Sequence, residues 1–231
     1  MRHILITGAS GGIAQAMVPL LKDDFLILLG RDAQKIEELY ASHPQKAIYE
    51  IDISKAVDLA ALVEKIYQDY GKIDVLVNNA GYAIYDDFEN FSEEQVRAMF
   101  DVNLFALMAL CRLVGKEMKA AKAGHIINIV SMSGKIASAK SSIYSATKFA
   151  ALGFSNTIRL ELAPYNVGVT TVNPGPVATG FFDLADPDGS YQRSVQAFLF
   201  SPEKVHSNIV PAIATHKREI NLPWLLEATN K

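Results

Sequence analysis

The stretch His3-Ile-Leu-Ile-Thr7-Gly8-Ala-Ser-Gly-Gly-Ile-Ala14 decides the fold. Its first five residues form a short apolar run containing β-branched side chains, as in a buried strand. Glycines 8, 11 and 12 follow at once, and then a helical pattern runs through Met17, Leu20 and Leu21. A strand that enters a helix through a glycine-rich turn is the context a dinucleotide site requires. Glycine lets the backbone approach a pyrophosphate, and the helix start offers free N–H groups and a partial positive charge. Many α/β proteins carry one such turn, so the remaining chain must support the reading.

Apolar runs and helical periods alternate along the whole length. The pattern predicts strands near 3–7, 25–29, 47–51, 74–78, 125–131, 167–173 and 218–222, and helices near 12–22, 32–42, 55–70, 92–120, 142–163 and 202–215. Strands separated by helices imply parallel pairing through right-handed crossovers. The expected fold is α/β: one domain over 1–231, a Rossmann-type doubly wound parallel sheet of about seven strands flanked by helices. Its ligand should lie off the carboxyl ends of the strands, where Gly8, Gly30-Arg31, Asp52, Asn78, Ser131 and Asn173 fall. Ser92-x-x-Gln95 reads as a capping box, Asp32 as a helix N-cap, and Pro164 as a helix stop. Residues 180–201 break the rhythm with Phe181, Phe182, Tyr191, Phe198 and Phe200 around Asp186-Pro187-Asp188-Gly189. The end, 221–231, starts a short amphipathic segment.

Composition narrows the function classes. Half of the 231 residues are hydrophobic, 20% are charged and the net charge is −3 without a basic run, so nothing points to nucleic acid. The longest apolar stretch, 98–114, is interrupted by Asp101, Asn103 and Arg112 and reads as a buried helix, with no membrane partner expected. The five histidines are scattered and the one cysteine, Cys111, sits in an apolar helical stretch, so no metal site or internal disulfide is expected. With no secretory pattern at the start, a cytoplasmic location is the expectation.

A second signal lies 130 residues on, in Tyr144-Ser-Ala-Thr-Lys148, with Ser131 thirteen positions before the tyrosine. Tyr and Lys four apart share one helix face. An ammonium beside a phenol favours the phenolate, so Lys148 is expected to lower the pKa of Tyr144 toward a range useful for proton transfer. Alone, such a pair is commonly an exposed surface pair.

With these residues the chain resembles the classical short-chain dehydrogenase/reductase family. The resemblance rests on Thr7-Gly8-x-x-x-Gly12-Ile-Ala14, Asn78-Asn79-Ala80-Gly81, Asn103, Ser131, Tyr144, Lys148, and Asn173-Pro174-Gly175 with Thr179, in family order and spacing over nearly the whole chain. Ala14 stands where the family usually has a third glycine, a position for helix–strand packing. The turn also fits a register Gly8-x-x-Gly11-x-x-Ala14 that resembles the extended branch; Asn78 to Gly81 and the short length favour the classical one.

The resemblance implies hydride transfer between a nicotinamide and a small carbonyl or alcohol substrate. Tyr144 would be the acid/base, Ser131 a hydrogen-bond donor to the substrate oxygen, and Lys148 a holder of the nicotinamide ribose. Asn103 would sit in a local helix distortion whose carbonyl holds a water against Lys148. The cofactor would be held by Thr7, Gly8, Ser10, Gly11, Gly12, Ile13, Arg31, Asp52, Ile53, Asn79, Ala80, Gly81, Tyr144, Lys148, Pro174, Gly175, Val177 and Thr179. Gly30 occupies the usual acidic position and Arg31 follows, which favours the 2′-phosphate of NADP(H), with NAD(H) as the alternative. The family also implies a substrate lid over 180–201 and a homodimer or homotetramer formed by the helices near 92–120 and 142–163. A competing reading is a non-enzymatic dinucleotide sensor or scaffold on the same fold.

Overall fold

The protein is described by a computed structural model covering residues 1–186, 189–196 and 199–222. Seven parallel strands form one sheet: His3–Thr7 (β1), Phe25–Gly30 (β2), Lys46–Glu50 (β3), Val75–Asn78 (β4), Gly124–Ile129 (β5), Val167–Pro174 (β6) and Glu219–Leu222 (β7). Their order is β3-β2-β1-β4-β5-β6-β7. The chain builds outward from β1 in one direction through β3, and then in the other from β4. The order therefore reverses between β1 and β4, and the crevice off their carboxyl ends is where such sheets bind ligands.

Helices cover both faces, which is why the central strands are apolar at successive positions and not only at alternate ones. Ile4 and Ile6 of β1 pack with Met17, Ile36, Ile209 and Ile213 on one face. Leu5 packs on the other with Leu59, Val63, Leu107, Leu110 and Val114. The helices among the described residues are Gly12–Met17 (α1), Ala33–Leu39 (α2), Ala56–Tyr70 (α3), Glu93–Phe100 (α4), Ala106–Ala121 (α5), Ser142–Leu162 (α6), Phe181–Ala185 (α7), Ser190–Val195 (α8) and Pro202–Thr215 (α9); the packing residues just named come from α1, α2, α3, α5 and α9.

Local signals explain most boundaries. The capping box forms at the start of α4, and Asp32 caps α2 by accepting from Lys35 N at 2.8 Å. The first helix differs from the expected 12–22: it ends at Met17 and tightens into a 3₁₀ turn, Val18–Leu20, because Pro19 cannot donate an amide to the helix. The expected helix 92–120 is present but is interrupted by a π-turn at Asp101–Phe105. Taken as 93–121, this run is long and apolar enough to span a bilayer. Here it lies along the sheet with Leu107, Leu110, Val114 and Met118 buried. The short helices α7 and α8 occupy the region that broke the sequence rhythm. Pro187, Asp188, Phe198 and the amphipathic tail after Leu222 lie outside the described residues.

Candidate active site

At the switch point the glycine turn and the loop after β4 are fastened into one body. Gly8 has φ +63°, and a Cβ there would stand 2.8 Å from Ala80 Cα, so a side chain is excluded twice over. The Thr7 hydroxyl accepts the N–H groups of Asn79 and Ala80, each at 3.0 Å. Asn79 Nδ2 donates back to the carbonyls of Thr7 and Gly8, also at 3.0 Å. A Cβ on Gly12 would come within 2.5 Å of Thr179 Cγ2, so the turn also meets the loop after β6. Ala14 is fully buried in the sheet-facing core, where the expected packing role puts it.

At the end of β2, Arg31 faces the same cleft, joined by Lys35 from the first turn of α2. Asp52, after β3, accepts from Ser54 N at 3.1 Å and Ser54 Oγ at 2.7 Å. These bonds, aided by Lys55 and Arg31, hold its carboxyl below the usual range.

The other half of the site is carried by α6 and the end of β5. Tyr144 and Lys148 lie one turn apart on α6, both buried, and Ser131 follows β5 beside the phenol. Lys148 Nζ donates to Ile129 O at 3.2 Å and sits 5.6 Å from the centre of the Tyr144 ring. The glycine at 81 lets the loop pass: a Cβ there would lie 3.1 Å from Asn103 Oδ1 and 3.4 Å from Lys148 Nζ. Asn103 is in the π-turn, whose extra residue departs from helical hydrogen bonding, as the family resemblance implied. Its Oδ1 accepts from Tyr82 N at 2.9 Å, while Nδ2 donates to Tyr82 O at 2.8 Å and Thr147 Oγ1 at 3.2 Å. Asn103 thus ties the loop after β4 to α6.

The electrostatics correct one expectation. Tyr144 is not lowered by Lys148; burial pushes the phenol up to about 12, and the Ser131 hydroxyl acts in the opposite direction without cancelling it. Lys148 is itself pushed down to about 8 by burial. The ammonium is directed to the Ile129 carbonyl and does not bond the phenol oxygen, so desolvation outweighs any attraction between the pair.

One continuous cleft of about 1790 Å³ unites these pieces. Of the residues singled out from sequence, Gly8, Ser10, Gly11, Gly12, Ile13, Arg31, Asp52, Ile53, Asn79, Ala80, Gly81, Ser131, Tyr144, Lys148, Pro174, Gly175, Val177 and Thr179 line it. Thr7 and Asn103, each 1% exposed, stand behind the wall and brace it. Lys35, Tyr85 and Ile84 also line the cleft and were missed. Lys35 had a signal, since it is a cation in the first turn of the helix that follows Arg31.

Comparison with known proteins agrees with this geometry. The family model for short chain dehydrogenase matches residues 2–188. The chain belongs to this family. A short-chain dehydrogenase relative, the 3-ketodihydrosphingosine reductase of Bacteroides thetaiotaomicron, is 32% identical over 201 residues, covering 86% of this chain and 73% of the relative. The ketoacyl reductase HetN of Nostoc is 31% identical, covering 95% and 77%. Among solved structures, a short-chain dehydrogenase from Sphingobium yanoikuyae in complex with NADPH superposes with a TM-score of 0.87 at 26% identity, covering 97% of this chain and 89% of that one. As a member of the short-chain dehydrogenase/reductase family, this protein is an oxidoreductase acting on CH–OH or C=O groups with a nicotinamide dinucleotide. The cleft suits that cofactor: the turn has no side chain at Gly8, Gly11 or Gly12 to obstruct a pyrophosphate, and the cleft exceeds the roughly 300–1,000 Å³ of a typical small-molecule site.

Proposed function

We propose that this chain is an NADP(H)-dependent reductase of small carbonyl compounds, running in reverse as an alcohol dehydrogenase, with Tyr144 as acid and base. The observation that carries the reading is that the buried phenol of Tyr144 opens into the same cleft as the glycine turn and the Arg31–Lys35 pair. When bound, the nicotinamide supplies a hydride to the carbonyl carbon. As that C–H bond forms, the C=O π pair moves onto oxygen and Tyr144 Oη delivers a proton there. A phenol held near 12 is protonated at neutral pH, as an acid in the reduction direction must be. The Ser131 hydroxyl donates a hydrogen bond to the oxygen as it gains charge.

Lys148 holds the nicotinamide ribose hydroxyls, and the carbonyl of Asn103 in the π-turn supports a water-borne proton path to it. Gly8, Ser10, Gly11, Gly12 and Ile13 receive the pyrophosphate with Thr179. Arg31 and Lys35 receive the 2′-phosphate, Asp52 and Ile53 the adenine, and Pro174, Gly175 and Val177 close over the nicotinamide with Asn79, Ala80 and Gly81. Phe181, Phe182 and Tyr191, from the described part of 180–201, cover the substrate. The same reading takes the protein as a cytoplasmic homodimer or homotetramer that engages neither nucleic acid nor membrane. Support for assembly comes from Phe105 at the end of the π-turn, Met108 on α5, and Phe149 and Leu160 on α6, all exposed apolar residues.

The test is consumption of NADPH and NADH with simple diketones and quinones. Turnover with NADPH preferred supports the proposal. Tight dinucleotide binding with no turnover of any carbonyl or alcohol would favour the sensor or scaffold reading.

A further inference from the structure

Resting on the reductase reading above, we propose that the substrate half of the cleft takes neutral carbonyl compounds bearing an aryl or alkyl group, and that Tyr85 and Tyr191 form the selecting wall. The two rings stack 3.8 Å apart, 7° from parallel. Tyr85 also meets the ring of Tyr144 edge-on at 5.9 Å. The stack therefore starts beside the proton donor, in reach of a group attached to the reacting carbonyl.

Tyr191 is held in place from two sides. Its hydroxyl pairs with Ser138 Oγ at 3.1 Å, and Ser138 pairs in turn with Ser141 at 2.9 Å. Its backbone N–H donates to Asp186 Oδ1 at 3.2 Å, and Gln192 N donates to Asp186 Oδ2 at 2.7 Å. The buried Asp186 carboxylate is thus occupied in fixing the start of α8. Met132, Ile136 and Val195 complete an apolar lining.

Charge excludes the main alternative. Beyond the Arg31–Lys35 end, the charged residues lining the cleft, among those described, are Lys148 and Asp183; Asp101 acts on Tyr82 together with Arg31 and so belongs to the Arg31 end. Lys148 is 4% exposed and directed to the Ile129 carbonyl. A substrate carboxylate or phosphate would leave water to meet the Asp183 carboxylate, with Lys148 engaged by the Ile129 carbonyl and the cofactor ribose, an unfavourable exchange. A neutral apolar group loses nothing comparable and gains contact with aromatic faces.

The experiment pairs substrates of matched size. Aryl methyl ketones and a series of 2-alkanones are compared with 2-keto acids, using the full chain with NADPH. The expected result is kcat/KM rising roughly three- to fourfold per added methylene along the alkanones, as burial of CH₂ predicts, with the keto acids at least about tenfold poorer than matched ketones. Tyr191→Ala should raise KM for ketones about tenfold, with a smaller change in kcat and unchanged NADPH affinity; Tyr191→Phe, which keeps the stacked ring, should recover most of the loss. Keto acids turned over as well as ketones, or a flat alkanone series, overturns the proposal. Calorimetric binding of the same pairs to the NADP(H)-loaded protein separates the two readings. Ketone binding without turnover defeats the reductase reading and keeps the wall, whereas preferred keto-acid binding defeats the wall whatever the turnover.

Discussion

The two ends of the cleft are built by different means. The dinucleotide end is made by backbone: a glycine at positive φ, carbonyls bonded by Asn79, and amides bonded by Thr7. The substrate end is made by side chains, with Tyr85 from the loop after β4 stacked on Tyr191 from α8 and meeting Tyr144 from α6 edge-on. Backbone geometry tolerates almost no substitution, because adding one carbon at Gly8 or Gly12 meets neighbouring atoms under 3 Å away. An aromatic wall admits exchange of one ring for another with modest cost. The cofactor end is thus fixed for one kind of ligand, and the substrate end is free to vary in what it selects.

The sharpest break between the ends is expected at Lys148, which belongs to both. Lys148→Met should lower turnover by roughly 10²–10⁴-fold, the usual worth of an acid–base system, while making the fold more stable by about 1 kcal/mol. The sign follows from its titration. The lysine is pushed down to about 8 in the fold from an ordinary 10.5, so between pH 8 and 10.5 the unfolded chain binds more protons. Wild-type stability should rise with pH across that window, and the penalty should be fully present below it. Denaturant midpoints of both proteins from pH 7 to 10.5 check this; a variant less stable than wild type at pH 7, or an equally steep rise in both, contradicts it.

Next in size is Gly12→Val. Its side chain would collide with Thr179, and overpacking of this kind is expected to weaken dinucleotide binding by about 10–100-fold. A fluorescence titration with NADPH measures it, and affinity within twofold of wild type would show that the turn yields easily. Smaller still is Arg31→Ala, expected to weaken NADPH about tenfold and leave NADH nearly unchanged. Arg31 alone is a cleaner probe than Gly30→Asp, because a Cβ on Gly30 would sit 2.6 Å from Ile36 Cδ1 and require that side chain to move. Equal losses for both cofactors would place the 2′-phosphate elsewhere.

The same contrast explains what the sequence discloses. Backbone sites need contiguous residues, so Thr7 to Ala14 and Asn78 to Gly81 are legible as strings, and the strand alternation that carries them gives the sheet. Tyr144 and Lys148 are legible because helical spacing fixes their common face. The distortion at Asn103 was legible only through the family resemblance, since an amide inside a long helix reads by itself as a tolerated polar residue. The aromatic wall was legible only in part: Tyr191 stood out among the aromatics of 180–201, but Tyr85, in the loop after β4, was missed, and α7 and α8, with 5 and 6 residues, are too short to show a period. Spacing also says nothing of burial, which is why the expected lowering of the Tyr144 phenol fails. The early end of α1 at Met17 follows from Pro19, a local signal that the apolar period of Leu20 and Leu21 obscured.

The central claim, that Tyr144 supplies the proton while the backbone-built end binds the cofactor without it, is tested most directly by Tyr144→Phe. The measurement is NADPH affinity and single-turnover NADPH oxidation on the same preparation, with the best ketone of the panel. The expected result is an affinity within about twofold of wild type and a chemical step slower by roughly 10²–10⁴-fold. A chemical step within about tenfold of wild type, about 1.4 kcal/mol of barrier, would contradict the claim.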